Sequence, residues 1–396
     1  MKRKMKLKKL AAFSILICIL AGTAACSSEK TAPKENGPET SKATEVSSQP
    51  EEESPDGLPW DIEPLASPVT LRIGYHTAST MHTPTYIAEE KGWLKQLNIE
   101  VETIPFPNGP ALMEASSSWD CAITGFGGVI NGVLKHDLTV LAPATRDDGS
   151  SAFFVRQDSP VALAGKGNNP DFPEVYGDAD SWKGIEVFTA MGTTNHYTLA
   201  KTLEIFGLSL SDVTVTNMDV TSSNTAFKAG QGEVAGIWGP LIYSQDKQDY
   251  IMASKASWVK TGLVTDYVAT PVGMETKQEA IAKWMELNIK IGEWCNENPQ
   301  EAAEYMTELG DLDGIISEVS DNVQLIKDNP YFTIEECYQA STEKTEDGRM
   351  LIYEAQYYDP MKFFVEQGNY TEEDLEKILG GNFKNQLISE IYTRTR

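Results

Sequence analysis

The sequence predicts an α/β protein of two lobes, joined by a hinge and separated by a cleft that can close on a ligand. From residue 69 onward, short β-type runs alternate with helical stretches, which is typical of α/β layers with parallel strands. Three of these runs recur at offsets of 112, 112 and 114 residues. The matched positions are Ile73 with Ile185, Val101 with Val213, and Ile123 with Ile237. One nearly constant offset indicates two lobes of like topology.

In the first lobe, the predicted strands cover residues 69–75, 99–104 and 121–125. A helix is predicted over residues 83–92, because Thr83 suits the N-cap, Pro84 suits the first turn and Gly92 suits the end. A second helix is predicted after residues 108–110. The segment 152–156 is a further strand that leads out of this lobe.

The second lobe repeats the order, with strands predicted over residues 184–189, 213–216 and 234–238. Helices are predicted over residues 192–204 and 223–229, and the strand 266–270 leads back to the first lobe. Helices are also predicted over 279–294, from 299, and over 371–379, where Thr371 and Asp374 fit a capping arrangement. The predicted division is therefore residues 69–155 in lobe 1, 156–265 in lobe 2, and 266–396 back in lobe 1.

The N-terminus has the features of an export signal. Six basic residues lie within the first ten positions, a short apolar run follows, and small residues precede Cys26. We predict a lipoprotein signal over residues 1–25 with lipidation of Cys26, although Thr23 stands where such signals usually carry Leu. Ordinary signal-peptidase cleavage is the alternative. Residues 26–68, rich in Ser, Thr, Glu, Lys and Pro, are predicted to be a disordered tether.

Composition excludes several classes of function. The formal net charge of −25 argues against nucleic-acid binding through a basic face. The 41% hydrophobic content is ample for a packed core. Cys121, Cys295 and Cys337 lack metal-ligand spacing, and the sequence contains none of the common hydrolase, P-loop or zinc-protease motifs. We therefore expect a monomer without cofactor, metal or catalytic residues.

The loops at the strand ends are the candidate binding site, because ligands of open α/β sheets lie beyond the carboxyl ends of the strands. Glycines and small hydroxyl residues at helix starts leave backbone N–H groups free for an anion. Other readings of these loops remain open. The glycines at 125–128 also suit a tight turn, Thr193 and Thr194 suit an N-cap, and Trp238 suits the core.

Three stretches resemble the substrate-binding proteins of ABC importers of the nitrate/sulfonate/taurine type, which also include binders of thiamine-type pyrimidines. They are "AEEKGWL", "GTTNHY…GLSLSDVTVTNMD" and "WGP", within a resemblance that extends from about residue 69 to about residue 391. The resemblance implies a type II periplasmic-binding-protein fold and delivery of the ligand to a membrane permease. It implies a pocket formed by the strand-end loops, which map here onto His76, Thr77, Ser79, Thr124, Gly125, Phe126, Gly127, Gly192, Thr193, Thr194, Asn195, His196, Asn217, Asp219 and Trp238.

The mapped loops depart from this family in their charge. They contain no Arg or Lys, and Asp219 would repel a bare anion if its side chain pointed inward. An aliphatic sulfonate, taurine or nitrate is the first expectation for the ligand. A pyrimidine or other small heterocycle, held by aromatic side chains such as Phe126 and Trp238, is the alternative. A secreted enzyme on the same scaffold is a further alternative and would need a catalytic pair such as His196 with Asp219.

Overall fold

Two five-stranded sheets form the framework of the protein in the computed structural model, which describes residues 57–396. Cys26, the predicted signal and most of the predicted tether lie outside the described residues. The strands are β1 (Val69–His76), β2 (Ile99–Phe106), β3 (Cys121–Gly125), β4 (Thr139–Arg146), β5 (Ser151–Arg156), β6 (Glu186–Thr189), β7 (Thr214–Asn217), β8 (Val234–Trp238), β9 (Tyr250–Lys255) and β10 (Val264–Ala269).

Helices cover both sheets. They are α1 (Thr83–Glu90), α2 (Trp93–Gln96), α3 (Gly109–Glu114), α4 (Phe126–His136), α5 (Pro160–Ala164), α6 (Ala179–Trp182), α7 (Thr194–Glu204), α8 (Val220–Lys228), α9 (Pro271–Glu297), α10 (Pro299–Leu312), α11 (Val319–Asp328), α12 (Ile334–Thr342), α13 (Ile352–Glu366), α14 (Glu372–Ile378) and α15 (Gln386–Arg394). Within residues 57–396, none of these helices is long and apolar enough to cross a membrane.

The two sheets share one strand pattern. The first sheet has the order β2-β1-β3-β10-β4, and the second has the order β7-β6-β8-β5-β9. In each sheet three strands run parallel, and the strand next to them, β10 or β5, is antiparallel to both of its neighbours. The repeat of strand order predicted from the sequence is therefore present in the structure.

The chain crosses between the sheets twice. Strand β4 ends in the first sheet at Arg146, and β5 begins in the second sheet at Ser151. The return crossing lies between the end of β9 at Lys255 and the start of β10 at Val264. Both strands change sheet slightly earlier than the predicted boundaries at residues 155 and 265. The reason is that β5 pairs with β8 and β9 of the second sheet, and β10 pairs with β3 and β4 of the first, so each crossing comes before the strand.

The C-terminal helices pack on the first sheet, because their apolar faces share its core. Trp284 of α9 is fully buried and makes an edge contact with Tyr267 of β10, with ring centroids 5.6 Å apart. Thr371 and Asp374 form the predicted capping box at the start of α14. These helices therefore extend the core of the first sheet.

The predicted tether ends earlier than residue 68. Ile62 and Leu65 are buried in the core of the first lobe, and the Lys283 ammonium donates to the carbonyl oxygen of Glu63 at 2.6 Å. Leu65 also donates its N–H to the carbonyl oxygen of Leu97 at 3.0 Å. Two buried apolar side chains explain the difference, since a segment that buries them can offset its ordering entropy. The packed body therefore includes the described residues before 69.

Candidate functional site

A cavity of about 60 Å³ lies between the two lobes, where the carboxyl ends of the parallel strands face each other. At about 10–15 Å³ per water molecule, it offers space for a few waters or one small ligand. Eight of the predicted site residues line it: His76, Ser79, Gly125, Gly127, Thr193, Thr194, Asn195 and Trp238. Ten further lining residues were not among the predicted set: Thr80, Met81, Asn108, Gly109, Pro110, Gly128, Asp147, Ser150, Ser151 and Gly239.

Two 11-residue helices begin at the cavity, one from each lobe. The N-cap of α4 is Gly125, which has no side chain, and the N-cap of α7 is Thr193, whose side chain accepts no hydrogen bond from the first turn. Both helices therefore direct uncapped N–H groups and the positive end of the helix dipole towards this region. A third helix, α3, is already capped, because the side chain of Asn108 accepts from the Ala111 N–H at 3.0 Å.

His76 lines the cavity from the end of β1 as an uncharged group. Its side chain is buried, and burial lowers its pKa to about 4. The Nε2 atom lies 3.2 Å from the hydroxyl of Thr124. Thr124 itself does not line the cavity, so its contribution is to hold the imidazole in place. The ring therefore brings hydrogen-bonding capacity to the cavity but no positive charge at neutral pH.

Asp147 is the acidic group of the cavity, and it lies in the first crossing between the lobes. Its Oδ2 accepts from the hydroxyl of Thr194 at 2.7 Å, and its Oδ1 accepts from the hydroxyl of Ser150. Burial raises the pKa of Asp147 to about 6, against the opposing effect of these two hydrogen bonds. The carboxyl group is therefore mostly ionised at neutral pH, in contact with Thr194 of the second lobe and with Ser150 of its own crossing segment.

Two backbone contacts bring the lobes together on either side of the cavity. A Cβ placed on Gly127 of α4 would lie 1.6 Å from the carbonyl oxygen of Gly192 in the second lobe. A Cβ placed on Gly239 would lie 2.0 Å from the carbonyl oxygen of Ala78 in the first lobe. Since real Cβ atoms never approach so closely, only glycine permits the observed closure at these two points.

An ion pair also joins the lobes outside the cavity. The Lys255 ammonium, at the end of β9, lies 2.5 Å from Oδ2 of Asp328 in α11. The hydroxyl of Tyr243 donates to the same carboxylate oxygen. These contacts and the two glycine contacts belong to a closed arrangement of the lobes.

Phe126 and His196 were predicted to contact the ligand, but their side chains pack or hydrogen-bond within the protein and do not line the cavity. Phe126 is 2% exposed and stacks with Tyr357 and Phe364, because the first turn of α4 directs it into the first-lobe core. His196 accepts a hydrogen bond at Nδ1 from the Gly192 N–H at 3.2 Å, and burial lowers its pKa to about 4. Gly192 therefore shapes the loop and touches Gly127, although it does not line the cavity.

Three other predicted residues also lie outside the cavity lining. Thr77 prolongs the edge of the first sheet, with its N–H donating to the carbonyl oxygen of Phe106 at 3.0 Å. Asn217 accepts from the Met191 N–H, and Asp219 is the N-cap of α8, accepting from the N–H groups of Thr221 and Ser222. Turn and capping bonds occupy these side chains, so Asp219 and His196 do not form a catalytic pair.

The part of the chain from residue 57 contains no group of three His, Cys, Asp or Glu side chains placed to hold a metal ion. Cys121, Cys295 and Cys337 are unpaired and buried. Burial raises the pKa of each of these thiols. They therefore behave as small apolar core residues rather than as ligands or nucleophiles.

The chain has relatives among binding proteins in both sequence and structure. It is 22% identical over 298 residues to a protein of Brachyspira hyodysenteriae that is named as an ABC transporter periplasmic binding protein. The matched region covers 75% of this chain and 82% of that protein. The alkanesulfonate-binding protein SsuA from Xanthomonas axonopodis pv. citri superposes with a TM-score of 0.62 and 16% identity, over 81% of this chain and all of SsuA. The chain has the periplasmic binding protein fold. No protein-family model matches it.

Other solved structures share this periplasmic binding protein fold. The nitrate-binding protein NrtA from Synechocystis PCC 6803 superposes with a TM-score of 0.63 and 13% identity, over 83% of this chain and 89% of NrtA. The structural neighbours therefore include binding proteins for sulfonates and nitrate, the proteins that the sequence resembles. The desulfurization enzyme DSZB also superposes, with a TM-score of 0.54 and 11% identity, over 82% of this chain and all of DSZB. The fold alone therefore does not separate receptor from enzyme.

Proposed function

We propose that this protein is an extracytoplasmic receptor that binds a small solute between its lobes and delivers it to an ABC importer. The observation that carries the proposal is the cavity at the strand ends, which is lined from both lobes and bordered by close glycine contacts between them. Such a cavity suits a ligand that is captured by hinge closure. The similarity to binding proteins of this fold supports the same function.

The size and lining of the cavity favour a small, hydrogen-bonding ligand. Alkanesulfonates and nitrate are suggested by the names of the structural neighbours, and taurine by the sequence resemblance. Small heterocycles of the pyrimidine type are the alternative. The lining contains no Lys or Arg, and its charged member is Asp147. This charge balance favours the alternative, since an oxyanion would find no cationic side chain.

The enzyme alternative has less support. It required His196 and Asp219 to converge in the cleft, and their side chains instead bond to Gly192 and to the first turn of α8. A binding function needs only the enclosed cavity and the hinge. We therefore retain the receptor as the proposed function.

A thermal-shift screen tests the receptor directly. The purified protein is heated with alkanesulfonates, taurine, nitrate, alkylamines and aminopyrimidines, one at a time. A ligand at 100 times its Kd should stabilise the folded state by about 2.7 kcal/mol and raise Tm by several degrees. Mass spectrometry should show the compound unchanged after incubation. Turnover of the stabilising compound would contradict a purely receptor function, and no stabilisation by any of them would remove the proposed ligand classes.

Trp238→Ala should weaken binding of the stabilising compound by about 30-fold or more. Trp238 ends β8 and lines the cavity, and large aromatic contacts of this kind carry about 2 kcal/mol or more of binding free energy. The measurement is isothermal titration calorimetry, with circular dichroism to confirm an unchanged fold. Trp258→Ala is the matched control, because Trp258 is also half-buried but lies outside the cavity lining. Equal affinities for wild type and Trp238→Ala would remove Trp238 from the site.

We also propose that Cys26 carries a lipid that holds the receptor at the outer face of the cytoplasmic membrane. The support is the sequence before the body: a basic start, an apolar run and a cysteine after two alanines. Cys26→Ser should move the protein from the membrane fraction to the soluble fraction and abolish labelling by an azido fatty acid. Cys18→Ser, within the apolar run, is the control and should leave both unchanged. A wild-type protein found mainly in the soluble fraction would favour ordinary signal-peptidase cleavage.

A further inference from the structure

Asp147 lies where the two uncapped helices meet. Its Oδ2 is hydrogen-bonded to Thr194, the first residue of α7. A Cβ placed on Gly125, the N-cap of α4, would lie 3.3 Å from the same oxygen. The carboxylate is thus beside the first turns of a helix from each lobe. Helix N-termini attract anions, so this side chain already supplies the negative charge that such a site favours.

Hydroxyl groups in the cavity lining are further hydrogen-bond acceptors beside this carboxylate. Five of the six hydroxyl residues in the lining donate their proton to the protein: Ser79 to the His76 carbonyl oxygen at 2.9 Å, Thr193 to the Ala190 carbonyl oxygen at 2.6 Å, Ser151 to Asn195 Oδ1, and Ser150 and Thr194 to Asp147. A hydroxyl that has donated its one proton offers only lone pairs to a ligand. The five hydroxyls therefore face the cavity as acceptors.

No cation balances Asp147 within the part of the chain that the structure describes. The lining contains no Lys or Arg, and none of the ion pairs formed by residues 57–396 includes Asp147. His76 is uncharged at neutral pH. Each carboxylate oxygen accepts one hydroxyl proton and keeps a further lone pair. The cavity therefore offers no cationic side chain to balance Asp147.

Given the receptor function proposed above, we propose that the ligand presents N–H donors and no negative charge to Asp147. The chemical class is a small amine, amidine, guanidine or amino-substituted heterocycle. A sulfonate or nitrate would have to approach the carboxylate as a second anion, and it would meet hydroxyl lone pairs instead of hydroxyl protons. Asp147 is then the residue that sets the charge preference of the receptor.

Shape-matched probes separate the two ligand classes. Guanidinium and nitrate are both planar and trigonal, and ethylammonium and ethanesulfonate share an ethyl group, so each pair differs mainly in charge and hydrogen-bonding sense. Together with 4-aminopyrimidine, they are titrated against the purified wild-type protein, Asp147→Asn and Asp147→Ser, with Tm and calorimetry as readouts. Asp148→Asn is the matched control, because its side chain does not line the cavity. Circular dichroism and the Tm without probe report whether each variant folds.

We expect at least one N–H probe to raise the Tm of the wild type while nitrate and ethanesulfonate do not. Affinity for that probe should fall by about 30-fold or more in both Asp147 variants, and it should be unchanged in Asp148→Asn. Stabilisation by the oxyanions alone would overturn this inference and leave the receptor function standing. Binding of an N–H probe with equal affinity to the wild type and the folded Asp147 variants would overturn it in the same way. No response to any probe would count against the receptor and the inference together.

Discussion

Gly127→Ala is expected to weaken ligand binding by about 10- to 100-fold without unfolding the protein. The added methyl group would lie 1.6 Å from the Gly192 carbonyl oxygen, and this neighbour is backbone that cannot rotate away. The lobes would have to separate by ångströms to accept it. Forced overpacking costs about 1–3 kcal/mol, and each 1.4 kcal/mol changes an affinity tenfold. The cost falls on the closed state, in which the two glycines touch.

The fold itself should tolerate this change, since Gly127 is the second residue of α4 and alanine is a better helix former than glycine. Small-angle scattering should show the variant keeping a larger radius of gyration when the ligand is added. Gly57→Ala is the control, because a Cβ at Gly57 would meet no atom within 4 Å. Full affinity and normal compaction of Gly127→Ala would mean that binding does not depend on this lobe contact.

Asp120→Ala is expected to lower the free energy of unfolding by about 3 kcal/mol, or Tm by roughly 4 °C. Asp120 is 1% exposed and precedes β3. Its carboxylate accepts from the backbone N–H of Arg72 at 2.8 Å, from the Arg72 guanidinium at 2.7 Å and from the Lys277 ammonium at 2.7 Å. One side chain thus ties β1, β3 and α9 together, and its loss would leave two cations without their partner.

The acid dependence of stability provides a second readout. Burial raises the pKa of Asp120, but the hydrogen bonds from Arg72 and Lys277 outweigh it and leave the pKa below its ordinary value. A depressed folded-state pKa contributes stability above the unfolded pKa and loses it as the pH falls through the folded pKa. The difference between wild type and Asp120→Ala should therefore shrink below about pH 4. The control is Asp171→Ala at an exposed position. A difference in stability that persists unchanged at pH 2.5 would contradict this account.

The repeated topology was predictable because it is carried by local signals. Short β-type runs set the strands, and capping residues such as Thr371 with Asp374 set the helix starts. The end of the tether was misjudged because a few scattered apolar side chains fix residues 57–68 to the body: Ile62 and Leu65 are buried, and Leu58 and Trp60 pack partly against the same core. Such a contact depends on the tertiary partner and has no periodic pattern to reveal it.

The site was partly predictable for a related reason. The rule that ligands bind at loops after strands and before helices predicted His76, Gly125 and Thr193, and these residues line the cavity. Asp147, Ser150 and Ser151 were missed because they lie in a crossing segment that the strand-end rule does not cover. The fact that β5 and β10 both change sheet was the available signal, since a crossing between two lobes must pass beside the cleft. Asn217 and Asp219 also follow a strand, but their side chains accept hydrogen bonds from nearby backbone N–H groups and do not line the cavity.

Asp147 also lies in one of the two segments that join the lobes, where a hinge would have to bend. Its backbone N–H donates to the Leu263 carbonyl oxygen at 2.9 Å, and the Ser257 N–H donates to the Asp148 carbonyl oxygen at 2.7 Å, so the two crossing segments are bonded to each other. A group in a joining segment moves little when two lobes separate. Gly127 and Gly192, in contrast, belong to the lobes themselves. Asp147 would therefore be in place when a solute first arrives, and the glycine contact would form only afterwards. In kinetic terms, changes at Asp147 should alter the rate of capture, and changes at Gly127 should alter the residence time.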